Sequence, residues 1–350
     1  MLPEWVYRNC PEVSAVHREA AIARQAQLTK PTGALGRLEQ LAIELAGLQA
    51  TEEPRASRVP IIIFAGDHGI VAQGVSAYPQ AVTIAMMANF ASGGAAISVL
   101  ARELGTSLEV VDAGTLAQEQ MPGIVTDKPR SGTRDFSVEA ALTSTDLAFA
   151  FEAGRRAVVR ADAGRPDLLI LGEMGIGNTT TSAAIAASLL GVSAGEIAGS
   201  GTGVDAAGRA HKARVIDAAI ARHGVAGASV EKILCAVGGL EIAAISGAII
   251  AAAQARIPVL IDGFIVSVAA LAAARLNPSC QPFQLASHQS AEQGHRLVLR
   301  ALNVQPLISL DLRLGEGSGA AIALPLVRAG CALHNGMATF AQANVPDRPA

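Results

Sequence analysis

The sequence predicts an α/β protein built on a Rossmann-like parallel sheet with helices on both faces. Short aliphatic runs alternate with Ala-rich stretches along the chain, and most of the runs end in a glycine-rich turn. The runs are also apolar at nearly every position, whereas a strand with one solvent-exposed face alternates between apolar and polar residues. Continuously apolar strands that alternate with helices are typical of a parallel sheet covered on both sides.

Six runs are predicted to be strands. In chain order they are residues 59–65, 108–111, 168–171, 233–237, 259–261 and 307–310. The turns that follow them contain, in the same order, Gly66, Asp112, Gly172, Gly238, Asp262 and Gly315. Because ligands in open α/β sheets bind outside the carboxyl ends of the strands, these turns are the predicted location of the functional site.

Helices are predicted at both ends of the chain. The leucines between Leu38 and Leu48 recur at helical spacing, on a helix that begins near Arg37. The first thirty residues and the Ala-rich segment after Gly319 are also helix-like. Because neither end contains a strand, we expect residues 1–55 and 320–350 to form a small helical domain. Residues 56–319 are then the large α/β catalytic domain.

Composition argues against several classes of protein. Basic and acidic residues nearly balance, 27 against 30, and only 3% of residues are aromatic. Neither a basic nucleic-acid surface nor a base-stacking platform is therefore predicted. The N-terminus lacks a basic segment followed by an apolar run, and glycines and polar residues interrupt the charge-free stretches 69–101 and 174–195. These features favour a cytoplasmic protein without a membrane span. The four cysteines form no CxxC pair, so reduced thiols are expected.

The turn after residues 168–171 is the first candidate binding motif. It contains Gly172, Gly175 and Gly177, continues through Asn178 into three threonines, and opens a helix. Glycines let a ligand approach the backbone closely, and a helix N-terminus favours an anion. The motif lacks the lysine of a P-loop and the full GxGxxG pattern. A phosphate cradle and an ordinary capped turn both fit it.

A second glycine-rich loop lies at Gly199–Gly203, and Lys212 follows it. Successive backbone N–H groups in such a loop can hold anionic oxygens, and the lysine can add positive charge. By itself, the pattern fits an ordinary surface loop at least as well.

Glu316 lies between Gly315 and Gly317, beyond the last predicted strand. The flanking glycines leave the carboxylate accessible to a substrate. A carboxylate at the mouth of an apolar pocket can have a raised pKa and act as a general base. A solvated turn glutamate is the alternative.

The histidines suggest a metal site as one interpretation. His288, Glu292 and His295 have the i, i+4, i+7 spacing of one helix face, and His68 follows another strand. No further ligand set accompanies them, so we expect no metal. These histidines are predicted to line an organic-ligand pocket or to cap a helix, and their individual roles stay open.

Together and in order, these motifs resemble those of the nicotinate-nucleotide:dimethylbenzimidazole phosphoribosyltransferase family. The resemblance extends from about Lys30 to about Phe340, and Ala34, Met86 and Gln293 depart from residues common in the family. The matching segments are residues 30–39, 65–69, 74–80, 89–96, 172–181, 201–205, 237–239, 262–264, 287–292 and 314–317.

The resemblance implies a reaction. Nicotinate mononucleotide gives its phosphoribosyl group to 5,6-dimethylbenzimidazole or a related base, yielding nicotinate and α-ribazole 5′-phosphate with inversion at the ribose C1. It also implies a Rossmann-like domain, a small helical domain from both termini, a homodimer, and no cofactor.

The resemblance also implies roles for individual residues. Glu316 matches the catalytic base, and Glu173 is the candidate for a ribose contact or a catalytic helper. A flat apolar pocket for the base is expected from Tyr78, Met86 and Leu314. The residues expected to contact the phosphate or nucleotide are Gly175, Gly177, Asn178, Thr179, Thr180, Gly201, Thr202, Gly203, Lys212, Ser290, Ala291, Glu292 and Gly315.

Three other functions compete with this one. A transferase that uses phosphoribosyl pyrophosphate carries paired acids after a hydrophobic strand, and Asp112 is a single acid. A non-catalytic nucleotide-binding protein of the same fold would not need the accessible Glu316. A dinucleotide-dependent dehydrogenase would need the full glycine fingerprint.

Overall fold

The described part of the chain, residues 1–201 and 203–346 of a computed structural model, contains one six-stranded sheet. All neighbouring strands in it are parallel. The strands are β1 (Ile61–Gly66), β2 (Leu108–Gly114), β3 (Val125–Thr126), β4 (Leu169–Met174), β5 (Val259–Ile261) and β6 (Gln284–Ala286). Their order, β3-β2-β1-β4-β5-β6, is the Rossmann order, with its switch point between β1 and β4. The predicted fold class is confirmed.

Helices cover both faces of this sheet and form both ends of the chain. Short 3₁₀ segments lie at Glu4–Tyr7, Gly69–Gln73 and Pro278–Phe283. The α-helices of the described residues are α1 (Ala15–Gln27), α2 (Arg37–Gln49), α3 (Ala81–Ser92), α4 (Ala96–Glu103), α5 (Ser144–Asp162), α6 (Asn178–Leu190), α7 (Ala194–Ile197), α8 (Ala206–His223), α9 (Val230–Val237), α10 (Leu240–Gln254), α11 (Phe264–Leu276), α12 (His295–Leu302), α13 (Ser318–Gly336) and α14 (Phe340–Ala343).

The centre of the core is α10, which is buried along almost its whole length. It packs against β1, β2, β4 and β5 and against α5. The two helices approach closely because glycines face each other's backbone. A Cβ at Gly247 would lie 2.5 Å from the carbonyl oxygen of Phe151, and one at Gly154 would collide with the carbonyl of Ala244. Small residues therefore set the close spacing of α5 and α10.

The two ends of the chain meet. Helices α1 and α2 pack together, and α2 also packs against α13. An isolated bridge joins Leu28 to Thr339, and the buried Lys30 forms a 2.9 Å ion pair with Glu39. The predicted helix from Arg37 is confirmed. Helix α13 contacts α4 and β4 as well as α2, so the boundary between a small and a large domain stays a prediction.

Two strand predictions were wrong. Residues 233–237 belong to α9, because an apolar run of that length suits a buried helix as well as a strand and Ser229 caps the helix by accepting from the Lys232 amide. Residues 307–310 form only an isolated bridge, between Ile308 and His288. The sequence also failed to predict β3 and β6, which are only two and three residues long.

The described helical segment Ala81–Glu103 is apolar and long enough to cross a membrane by length and composition alone. In the structure it is two helices, α3 and α4, of 12 and 8 residues. Gly93, at φ +85°, separates them, and a span needs about 20 continuous residues. The four cysteines are free, as predicted, and three of them are buried.

Candidate active site

A cavity of about 290 Å³ opens at the carboxyl ends of β4, β5 and β6. This is the edge of the sheet where the sequence placed the functional site. Eleven of the predicted residues line it: Tyr78, Glu173, Gly175, Asn178, Thr179, Gly201, Ser290, Glu292, Leu314, Gly315 and Glu316. The other lining residues are Met174, Ile176, Gly263, Phe264, Ile265, His288 and Arg313.

Glu316 is presented to the cavity by a strained turn. Its φ of +62° lies in the left-handed region, between Gly315 at +82° and Gly317 at +74°. A non-glycine residue persists there only when its surroundings hold it, and such positions cluster at functional sites. Only 6% of Glu316 is exposed, and its Oε2 has no hydrogen-bond partner within the described protein. Burial, and next the negative charge of Asp262, raise the pKa of Glu316 to about 7.

The second carboxyl group, Glu173, ends β4 beside this turn. The Asn178 side-chain amide donates to its Oε2, and the carboxyl group also accepts from the backbone N–H of Glu316. Burial, and then the charges of Asp262, Glu241 and Glu316, raise the pKa of Glu173 well above its usual range. Burial therefore favours the neutral form of Glu173 more than it would be favoured in an exposed glutamate.

The opposite end of the cavity is built for an anion. Gly177, at φ +97°, caps α6, whose N-terminus carries partial positive charge. Gly175 is required by close packing, because a Cβ there would collide with the carbonyl oxygen of Gly66. Behind the loop, the buried Lys212 donates to Thr179 Oγ1 at 2.7 Å. Burial lowers the pKa of Lys212 to about 8, and Glu292 opposes that change. The lysine is thus charged at neutral pH, and burying that charge lowers the stability of the folded protein.

The loop after β6 closes this end. Glu292 Oε1 accepts from the Gly201 amide at 3.1 Å, which ties the two loops together, while its Oε2 has no partner among the described residues. The Ala291 amide donates to Leu312 at 2.9 Å, which connects the same loop to the segment that leads to Glu316.

The helical spacing assigned to His288, Glu292 and His295 was wrong, because residues 287–294 form a loop and α12 begins only at His295. The backbone N–H of Ser290 donates to His295 Nδ1 at 2.8 Å, and His295 Nε2 donates to Ser267 at 2.9 Å. Both nitrogens are engaged, and burial lowers the pKa of His295 to about 3. His295 therefore positions the Ser290 backbone as a neutral ring.

His288 lines the cavity. The Ser287 hydroxyl donates to the Ile261 carbonyl at 2.6 Å, so it must accept from His288 Nδ1, 3.0 Å away. Nε2 is then an acceptor in the neutral ring. Burial lowers the pKa of His288, against the opposing charge of Asp262.

His68 lies deeper, beneath the α6 loop. Its Nδ1 is 2.9 Å from Thr181 Oγ1, and its Nε2 is 2.8 Å from Glu241 Oε1. It therefore connects β1 to α6 and α10.

Several predicted residues lie outside the lining of the cavity. Gly177 and Thr180 are within the α6 turn, and Lys212 is behind Thr179. Gly203 and Ala291 are exposed and do not line the cavity. Met86 is half-buried on α3, and its Sδ lies 3.9 Å from Asn89 Nδ2. Thr202 is outside the described residues.

Six residues of the cavity lining were not predicted as site residues: Met174, Ile176, Gly263, Phe264, Ile265 and Arg313. Phe264 and Ile265 begin α11, directly after β5, so their position at a strand's carboxyl end was the available signal. Arg313 is exposed at the rim, next to the Leu314 side chain, and only its proximity to Glu316 pointed to it.

Comparison with known proteins decides the family. A family model described as phosphoribosyltransferase matches residues 10–345. A protein from Bradyrhizobium diazoefficiens named nicotinate-nucleotide–dimethylbenzimidazole phosphoribosyltransferase is 90% identical over 350 residues, all of both chains. The chain belongs to this phosphoribosyltransferase family.

Other members extend the match. A relative of the same name from Bradyrhizobium sp. strain ORS 278 is 66% identical over the full length of both chains. The crystal structure of the enzyme of that name from Thermus thermophilus superimposes with a TM-score of 0.90 at 40% identity, covering 96% of this chain and all of the other. The family resemblance drawn from the ordered motifs is confirmed, and the chain is a phosphoribosyltransferase.

Proposed function

We propose that the enzyme transfers the phosphoribosyl group of nicotinate mononucleotide to 5,6-dimethylbenzimidazole or a related base. The products are nicotinate and α-ribazole 5′-phosphate, the nucleotide used for the lower ligand of cobalamin. The observation that carries the proposal is the buried carboxylate of Glu316 in the wall of the cavity. One of its oxygens has no hydrogen-bond partner among the described residues.

One carboxylate is enough for this reaction. The leaving group is a pyridinium, which is already cationic and departs without a proton, whereas ordinary glycoside hydrolysis needs an acid and a second carboxylate. The attacking benzimidazole is neutral and becomes acidic at its other nitrogen as the new bond forms. A pKa of about 7 makes Glu316 a suitable base for that proton near neutral pH.

The donor lies with its phosphate at the α6 end of the cavity. The proposed contacts there are Gly175, Gly177, Asn178, Thr179 and Thr180, followed by Gly201, Thr202 and Gly203. Lys212, which donates a hydrogen bond to Thr179, supplies the positive charge at this end of the cavity. Ser290, Ala291, Glu292 and Gly315 complete the contacts with the nucleotide.

Glu173 meets the ribose between the two ends. Burial raises the pKa of Glu173, and in its neutral form this side chain donates a hydrogen bond to a ribose oxygen. The acceptor base lies against Tyr78, Met86 and Leu314, on the face of the ribose opposite the leaving nicotinate. Attack from that face in a single displacement inverts the anomeric carbon from β to α.

We further propose a homodimer in the cytoplasm, with residues 1–55 and 320–350 as its small helical domain. The Ala81–Glu103 segment supports an interface, because it is strongly apolar and only 33% of its most apolar window is buried within the described chain.

The test is turnover of nicotinate mononucleotide with dimethylbenzimidazole, followed by nicotinate release. Glu316→Gln keeps the shape of the side chain and removes its basicity. We expect a loss of about 100-fold or more in kcat, the effect of removing general base catalysis, with the nucleotide KM nearly unchanged.

Glu109→Gln is the matched control, because Glu109 lies on β2 and its side chain pairs with Arg160 at the surface. Its turnover should equal that of the wild type. Unchanged turnover in Glu316→Gln, or use of phosphoribosyl pyrophosphate in place of the mononucleotide, would overturn the proposal.

A further inference from the structure

A buried aspartate lies directly beneath the turn that carries Glu316. Asp262 follows β5 and is 1% exposed. Its Oδ2 accepts from the Gly317 amide at 3.1 Å, and its Oδ1 accepts from the Ala320 amide at 2.9 Å. The carboxylate therefore holds the backbone just after Glu316 and the first turn of α13 at the same time.

The turn needs such a holder. Three consecutive residues, Gly315, Glu316 and Gly317, have positive φ angles, and the middle one is not glycine. A non-glycine residue in the left-handed region is strained and persists only where its surroundings hold it. The strand beneath also fixes the turn, because a Cβ at Gly172 would lie 2.5 Å from the Gly317 nitrogen. The turn is thus held by the hydrogen bonds to Asp262 and by close packing against Gly172 of β4.

The same carboxylate acts on Glu316 through its charge. The charged groups around Glu316 are Asp262 after β5, Glu173 on β4, and, in the lining of the same cavity, His288 and Glu292 after β6 and Arg313 on its own loop. Burial raises the pKa of Glu173 and lowers the pKa of His288, and Arg313 is exposed at the rim. Asp262 is the neighbour whose negative charge raises the pKa of Glu316.

We propose that Asp262 is the positioning residue of the proposed base: its two oxygens hold the turn that carries Glu316 and the first turn of α13. The proposal rests on Glu316 as the base. It predicts two separable effects, one on the geometry of Glu316 and one on its charge state.

Two substitutions separate these effects. Asp262→Asn keeps the volume and removes the charge and one of the two acceptors, whereas Asp262→Glu keeps the charge and displaces both oxygens by a methylene. Asp167→Asn is the matched control. Asp167 Oδ2 accepts from the Ser57 and Arg58 amides at 2.9 and 2.8 Å, but at the opposite, amino-terminal end of the sheet.

For each full-length variant, kcat and the nucleotide KM are measured from pH 5.5 to 9, with thermal unfolding followed in parallel. Both Asp262 variants should lose roughly 10- to 100-fold in kcat, the effect of a displacement of about 1 Å, with less than about a threefold change in nucleotide KM. Only Asp262→Asn should move the acid limb of the kcat profile to lower pH, by about one unit. Asp167→Asn should lose stability alone.

The outcomes are distinct. If both Asp262 variants keep the wild-type kcat and acid limb while Glu316→Gln is inactive, the positioning role is wrong and the base assignment stands. If Glu316→Gln keeps full turnover, both are wrong. Should Asp262→Asn fail to fold, Asp262→Glu decides the question, because wild-type kcat in that variant contradicts the inference.

Discussion

Lys212 offers a prediction in which function and stability oppose each other. The side chain is 1% exposed, and burial lowers its pKa from 10.5 to about 8. That difference corresponds to about 3 kcal/mol against the charged form in the folded protein. Lys212→Met keeps the hydrocarbon volume and removes the charge. The variant should therefore lose nucleotide affinity and gain stability when no ligand is bound.

The two magnitudes follow from the site. A charge-assisted hydrogen bond contributes about 1.5–3 kcal/mol, so the nucleotide KM should rise roughly 10- to 100-fold while kcat changes little. The free energy of unfolding of the ligand-free protein should rise by about 1–3 kcal/mol, since the loss of the Thr179 hydrogen bond and of the attraction to Glu292 offsets part of the gain. The gain should be full below pH 8 and disappear as the pH approaches 10.5, because unfolded lysine then also loses its proton.

Steady-state kinetics and urea unfolding measure the two effects. Lys30→Met is the control, because Lys30 is also buried but forms a 2.9 Å ion pair with Glu39, and neither residue lines the cavity. It should lose stability, with the unpaired Glu39 left behind, and keep its nucleotide KM. A Lys212→Met enzyme with unchanged nucleotide KM would refute the assigned role of the lysine. A loss of stability comparable to that of Lys30→Met would refute the electrostatic reasoning.

Two further predictions concern pH and packing. For the wild type, kcat/KM should rise through about pH 7 as Glu316 ionises and fall above about pH 8 as Lys212 loses its proton; a profile that is flat from pH 6 to 9 contradicts both assignments. Gly175→Ala should lower the free energy of unfolding by about 1–3 kcal/mol, because its Cβ collides with the Gly66 carbonyl. In Gly195→Ala the Cβ meets only Ser193 Oγ at 3.8 Å, so urea unfolding should show no loss.

The sequence was sufficient to predict the fold because the signal was local. β1 and β5 are apolar throughout, and among the apolar runs that begin β2 and β4 only Glu109 interrupts the pattern. Each run leads into a turn that contains glycine, so each could be recognised without its neighbours. The run at 233–237 was misjudged because it is apolar in either conformation, and only the Ser229 cap identified it as a helix. β6 is three residues long and begins with Gln284, which left no pattern to recognise.

The candidate site was predictable where a residue's own neighbours explain it. Glu316 stood out because it lies between two glycines. The role inferred for Asp262 depends on amides more than fifty residues away, so only the folded chain brings it into view. His295 was assigned to the wrong geometry for a related reason: its bond with the Ser290 backbone requires a loop that helical spacing does not describe.

The central claim is a direct displacement of nicotinate by the acceptor base at this cavity. The most direct measurement is proton NMR of the complete reaction of the wild-type enzyme with nicotinate mononucleotide and dimethylbenzimidazole, which counts nicotinate and reports the anomeric configuration of the new nucleotide. We predict one nicotinate released for each nucleotide formed, a single α anomer, and no release without the base. A β product, or nicotinate release without the acceptor, would contradict the mechanism.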